Sequence, residues 1–126
     1  MKKIILITLS TFLVMISVGQ TSSWKAFDDF HSSVSKILHP VMLGNLEPVK
    51  QNSGLLLAQA KAWQSSHIPK TVDGSLFRPQ ITELVKQCSE LNEAVKSKQS
   101  DNELIKKANI VHETFHALLK ACKLKD

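Results

Sequence analysis

The sequence predicts an all-α fold, an antiparallel up-down-up-down four-helix bundle. Three observations predict it. Apolar residues recur at alternating spacings of three and four along four segments, which is the period of an amphipathic helix. Turn-forming residues separate the segments, and no segment sustains the period of two that is typical of a strand. Tyr is absent and the apolar residues are mainly Leu, Ala, Val and Ile, which argues against an all-β fold.

The first two helices each carry one apolar stripe. The stripe of the first helix is Phe27, Phe30, Val34, Ile37 and Val41. The stripe of the second helix is Leu46, Val49, Ser53, Leu56, Ala60 and Trp63. His39-Pro40 and Gly44-Asn45 lie between them, and we expect these pairs to end the first helix and open the second, with Asn45 as its N-cap.

The third and fourth helices repeat the pattern. The stripe of the third helix is Phe77, Ile81, Leu84, Cys88, Leu91 and Val95. The stripe of the fourth helix is Leu104, Ala108, Val111, Phe115, Leu118 and Cys122. A loop from Ser65 to Ser75 precedes the third helix, and a polar turn from Ser97 to Asp101 precedes the fourth, with Asp101 as its expected N-cap. Short connections make consecutive helices antiparallel neighbours, which gives the bundle its topology.

The N-terminus predicts a secretory signal peptide over residues 1–19. Lys2 and Lys3 precede an apolar run of about 15 residues, which is shorter than the roughly 20 residues of a membrane-spanning helix. Small residues at Ser17 and Gly19 suit cleavage before Gln20. We therefore expect a periplasmic or secreted protein, with residues 20–126 as one bundle domain that does not insert stably into a membrane.

The charge gives little support for nucleic-acid binding. The net charge of the whole sequence is +5, and removal of Lys2 and Lys3 with the signal peptide lowers it to +3. The remaining lysines are interspersed with acidic residues, as in Glu103, Lys106 and Lys107, and form no basic stripe with interleaved aromatic residues.

The two cysteines are placed badly for a disulfide bond within the chain. If the third and fourth helices turn near Gln99, Cys88 and Cys122 differ by roughly 16 Å along the bundle axis. A disulfide bond requires Cα atoms within about 7 Å. We expect two buried thiols that pack as small hydrophobic side chains.

Histidines on the first and fourth helices predict a transition-metal site. His112 and His116 are four residues apart, so they project from one face of the fourth helix at a spacing that can chelate one ion. Antiparallel packing brings His31 and Cys88 to the same level, which gives His31, His112, His116 and Cys88 as candidate ligands of Zn or Cu. His39 lies about 12 Å further along a regular helix, and we expect it outside this site unless the chain bends at Pro40.

The same segment contains His112-Glu113-Thr114-Phe115-His116, which matches the H-E-x-x-H pattern of zinc peptidases. In that pattern the histidines bind Zn and the glutamate is the general base. Leu119 stands where one subfamily has glycine, and Cys122 stands where it has a third histidine. The sequence ends soon after the motif, and no strand is predicted that could hold a peptide substrate. We expect metal binding without peptidase activity.

The overall pattern resembles the periplasmic four-helix cytochromes, the soluble b-type cytochrome and cytochrome c-prime. The features it shares are a signal peptide, four helices and candidate ligands on the first and last helices. The resemblance implies haem b held by His31 and a fourth-helix histidine, His116 or His112, with His31 in place of the family's methionine. Covalent haem is excluded because C-x-x-C-H is absent. The run from Phe30 to Leu46 is also similar to small exported bacterial proteins of unassigned function.

These patterns leave three hypotheses for an exported helical bundle. The first is a non-catalytic protein that binds a transition metal for buffering or sensing in the cell envelope. The second is a b-type haem protein of electron transfer, and the third is a cofactor-free interaction or chaperone-like bundle.

Overall fold

A computed structural model of the chain describes residues 24–124. The predicted signal peptide and its cleavage site lie outside the described residues, so both stay predictions. The described helices are α1 (Lys25–Ser33), a π-helical turn (Val34–Leu38), α2 (His39–Met42), α3 (Glu47–Ser65), α4 (Gly74–Lys96) and α5 (Asp101–Ala121). The first three run on from one another and are called the N-terminal helix below.

The sequence predicted that the first helix ends near His39-Pro40. In the structure the N-terminal helix continues to Met42. A proline has no N–H to donate and its ring crowds the carbonyl four residues earlier, which disfavours a regular α-helix around Pro40. The π-helical turn lies directly before Pro40, and there the N–H of His39 bonds to the carbonyl of Val34, five residues back. This wider turn accommodates the proline without breaking the helix.

Polar side chains bond to backbone N–H groups at the starts of the other helices, although the predicted caps Asn45 and Asp101 each lie one residue from the N-cap, which is Leu46 for α3 and Ser100 for α5. Asn45 Oδ1 accepts a hydrogen bond from the Glu47 N–H at the start of α3. Asp73 accepts one from the Ser75 N–H at the start of α4. Ser100, and not Asp101, is the N-cap of α5, because its hydroxyl accepts from the Glu103 N–H.

The C-termini of three helices share one hydrogen-bond pattern. After the N-terminal helix, the Asn45 N–H bonds to Pro40 O and the Gly44 N–H to Val41 O, the paired bonds of a Schellman motif. The same pairs follow α4 and α5, where Lys98 and Lys123 take the left-handed position that Gly44 takes here. The turns after the N-terminal helix and after α4 lead into α3 and α5, which pack antiparallel to the helices before them.

The fold-class prediction is confirmed: the protein is all-α, with four helices packed in sequence as an up-down bundle. The N-terminal helix packs against α3 and α5, and α4 packs against the same two helices. Nearly all predicted stripe residues are buried. At the end of α4, however, Ala94 is buried and Val95 only partly so. Among the described residues no helix is long and apolar enough to cross a membrane.

Six aromatic rings fill one part of the core and connect the N-terminal helix with all three other helices. They belong to Trp24, Phe27, Phe30, Trp63, Phe77 and Phe115. Phe115 packs against Phe30 with ring centroids 5.4 Å apart and against Trp63 at 6.1 Å. This aromatic cluster brings α5 against the N-terminal helix, and the histidines lie at its edge.

Candidate functional site: a histidine group between the first and last helices

The π-helical turn places His31 and His39 on one face of the N-terminal helix. In a regular α-helix, residues eight apart differ by about 80° around the axis. The π-helical turn inserts one extra residue, so this pair takes the relation of residues seven apart, which differ by only about 20°. Both histidines therefore lie on the side of the helix that faces α5.

His112 and His116 of α5 lie in direct contact. Their Nε2 atoms are 3.0 Å apart and their ring planes are nearly perpendicular. Both side chains are half-buried, which limits the conformations open to the rings. The predicted pairing of these two histidines is therefore present in the structure.

His39 contacts this pair, although the sequence-based interpretation placed it elsewhere. Its ring packs edge-on against His112 with centroids 5.2 Å apart. The expectation held only for a regular α-helix, with a bend at Pro40 as the stated exception. The irregularity is the π-helical turn directly before Pro40, which brings His39 round to the face of His31.

His31 lies beside the aromatic cluster. Its ring stacks on Phe27 at 5.5 Å and contacts Phe115 at 5.8 Å, and the Phe115 ring is also 5.8 Å from that of His116. Phe115 thus contacts both His31 and His116. In the antiparallel arrangement His39 lies at the level of His112, and His31 lies nearer the C-terminal end of α5.

The structure places Cys88 in the apolar core. Its side chain is 0% exposed, and burial raises the pKa of the thiol to about 12. Metal ions bind the thiolate, so this environment disfavours ligation by Cys88. Within residues 24–124 no group of three or more His, Cys, Asp or Glu side chains is arranged to hold a metal ion. The four predicted ligands do not form a ready-made site.

Cys122 is also buried. It follows α5 and lies near the start of α4, whereas Cys88 lies in the second half of α4. Burial and the charge of Asp73, near the start of α4, raise the pKa of its thiol. Both cysteines are free, as the axial mismatch predicted.

A groove beside His112 is lined by Met42, which is not among the ligands predicted from the sequence. The groove has a volume of about 410 Å³ and lies between α2 and α5. Its lining residues are Val41, Met42, Ile105, Asn109, His112 and Glu113. Met42 is 54% exposed at the edge of this groove. The apolar period of the helix does not predict this exposure, because Met42 is the last residue before a turn.

The His112–His116 pair can form a hydrogen bond within itself or bind a metal ion. Without a metal, one Nε2–H donates a hydrogen bond to the other Nε2. With a metal, both rings present an Nε2 lone pair to the ion. A tetrahedral ion with Zn–N bonds of about 2.0–2.1 Å sets its ligand nitrogens about 3.3 Å apart. The pair therefore needs a separation only a few tenths of an ångström larger than the 3.0 Å observed.

Comparison with protein-family models, with curated proteins and with solved structures finds no match to this chain. The described residues form a small all-helical four-helix protein, and no family is identified.

Proposed function

We propose that this protein is an exported, non-catalytic bundle that binds a transition metal ion, Zn or Cu, between its first and last helices. The ion is held by Nε2 of His112 and Nε2 of His116. His39 and His31 are the candidates for further ligands, because both lie on the face of the N-terminal helix that meets α5. The proposed role is buffering or sensing of the metal in the cell envelope.

The 3.0 Å separation of the two Nε2 atoms is the observation that carries this proposal. Two half-buried imidazoles in contact are already near the geometry of a chelate, so little conformational freedom is lost on binding. The ring that donates the hydrogen bond has only to move its proton to Nδ1 for both Nε2 atoms to become ligands. Two neutral rings therefore bind the ion without a net release of protons.

His39 is a candidate for the third ligand of the same ion. It is exposed, so its side chain can rotate toward the pair without opening the core. Cys88 is left out of the proposed ligand set because its thiol is buried and its pKa is raised. Glu113 is exposed beside His112, yet the described residues form only helices, so they offer no strand edge to align a peptide for cleavage.

The aromatic cluster favours a small ion over haem. Phe27 and Phe115 pack against His31, and Phe30 and Trp63 fill the core next to them. A haem plane between His31 and His116 would have to displace these rings. The haem hypothesis stays a prediction, and a Soret band in protein from haem-replete cells would establish it.

Thermal unfolding with and without metal tests the proposal. Protein stripped with a chelator is melted alone and with ZnCl₂, and in a second series with a Cu(II) salt. An ion that binds only the folded state stabilises it by about 2.7 kcal/mol at a hundredfold excess over Kd. We expect a rise in Tm for the wild type, and loss of most of that rise in His112→Ala and in His116→Ala.

His67→Ala is the matched control. His67 is an exposed histidine in the loop between α3 and α4, so its loss should leave the rise in Tm unchanged. Separate His31→Ala and His39→Ala variants then identify the ligand from the N-terminal helix. A wild type that does not respond to either metal would favour a cofactor-free interaction bundle. A His112→Ala/His116→Ala variant that responds as fully as the wild type would overturn this site, because the metal would then bind elsewhere.

A further inference from the structure

Met42 lies where it can join the histidines. It follows His39 by three residues on the N-terminal helix, so the two side chains project from neighbouring positions of one face. His39 contacts the ring of His112, and Met42 lines the groove that His112 also lines. One level of the boundary between α2 and α5 thus brings together a thioether and two imidazoles, with a third imidazole at His116.

Met42 is exposed where it borders the groove. Its neighbour Val41 is 4% exposed and belongs to the core, whereas Met42 is 54% exposed at the edge of the groove. A flexible, exposed thioether can turn its sulfur toward an ion without disturbing the core.

We propose that Met42, across the groove from His112, supplies a thioether ligand to the ion held by His112 and that this ion is Cu(I). The inference rests on the proposed function, because it assigns the metal of that same histidine site. Thioether sulfur is a soft ligand that selects Cu(I), whereas Zn(II) is held by imidazole, thiolate or carboxylate. The groove of about 410 Å³ leaves room for an ion beside His112.

The test compares Cu(I) with Zn(II) binding in wild type and in Met42→Leu. Leucine keeps the size and the apolar character of the side chain but has no sulfur. Cu(I) affinity is measured without oxygen, in ascorbate, by competition with the chromophoric chelator bicinchoninate. We expect Met42→Leu to weaken Cu(I) binding by at least about tenfold while Zn(II) affinity stays the same.

The chain offers a matched control one residue away. Leu43 is 87% exposed, and a methionine at this position would point about 100° further around the helix. The double variant Met42→Leu/Leu43→Met keeps one thioether in this turn but outside the groove. We expect it to bind Cu(I) as weakly as Met42→Leu, and copper X-ray absorption to detect a sulfur neighbour only in the wild type.

The outcomes separate the inference from the function on which it rests. Equal Cu(I) affinity in wild type and Met42→Leu, with both binding metal, would overturn the role of Met42 and keep the histidine site. Full recovery in the double variant would overturn it as well, since the position of the sulfur would not matter. A wild type that binds neither Cu(I) nor Zn(II) would overturn the metal function itself.

Discussion

Lys98 occupies a backbone conformation that suits glycine better. Its φ is 55°, in the left-handed region, and it stands at the position of the Schellman motif after α4 where Gly44 stands after α2. A side chain with a Cβ costs roughly 1–2 kcal/mol in this conformation. Glycine avoids that cost, although the greater freedom of its unfolded chain offsets part of the gain.

We therefore expect Lys98→Gly to raise the free energy of unfolding by about 0.5–1 kcal/mol. Urea unfolding followed by circular dichroism measures it. Lys98→Ala is the control, because it removes the same charge but keeps a Cβ, and it should give no comparable gain. Equal stabilisation by both variants would assign the effect to charge and would contradict the conformational argument.

The histidines also show at the residue scale what the sequence could and could not predict. The contact of His112 with His116 follows from their spacing alone, because residues four apart on a helix always share a face. The contact of His39 with His112 depends on one inserted residue in another helix. No period in the sequence marks that insertion, and only Pro40 indicates that the helix is irregular there.

The π-helical turn is the element that sets the register of the N-terminal helix. If it is a one-residue insertion, deletion of an exposed residue within it should restore a regular α-helix. Deletion of Ser35 leaves His31 and His39 seven residues apart, so the two histidines should keep their common face. The buried residues after the turn should likewise keep their orientation toward the core.

We expect the Ser35 deletion to fold with this register, but to lose about 3 kcal/mol of its free energy of unfolding, because Pro40 then lies within a regular α-helix. Urea unfolding measures the stability, and a nuclear Overhauser effect between the His39 and His112 rings reports the register. Deletion of Ser89, an exposed serine within regular α4, is the control. It rotates Leu91 and the residues after it by about 100° out of the core and should unfold the protein. A Ser35 deletion as damaging as that of Ser89 would contradict the insertion.

The helix boundaries were predicted to within one or two residues except at Pro40. Asn45 and Ser100 show why small errors occurred. Asn45 caps the N–H of Glu47 from two residues away, and Ser100 takes the cap position that Asp101 could equally have filled. Several residues that can cap a helix occur next to one another in such turns. The backbone conformation decides which of them is the N-cap, and the order of residue types does not predict that conformation.

At the scale of the whole molecule, the aromatic cluster joins the four helices. Phe115 contacts rings from the N-terminal helix and α3, and it is 0% exposed. We expect Phe115→Ala to lower the free energy of unfolding by about 3–5 kcal/mol, through lost burial and the cavity left behind. Domains of this kind are stable by only about 5–15 kcal/mol, so the variant should lie close to unfolding.

Urea unfolding at equilibrium measures this change. Ile110→Ala on the same helix is the control, since Ile110 is 39% exposed and should cost less than about 1 kcal/mol. Similar losses in both variants would show that the cluster does not hold the helices together. The apolar stripes predicted which residues form this core, because burial follows the helical period. They did not predict which rings touch, because these contacts depend on how each helix is rotated about its axis.

The contact of His39 with His112 joins two points that are far apart along the chain. A metal ion held by both would act as a reversible cross-link that closes a loop of 73 residues (112 − 39). By the chain-entropy relation derived for disulfide bonds, a loop of this length restricts the unfolded state by about 4 kcal/mol. With both thiols free and buried, the ion would give this bundle the constraint that small secreted domains usually obtain from disulfide bonds. Its resistance to unfolding would then follow the metal supply of its surroundings.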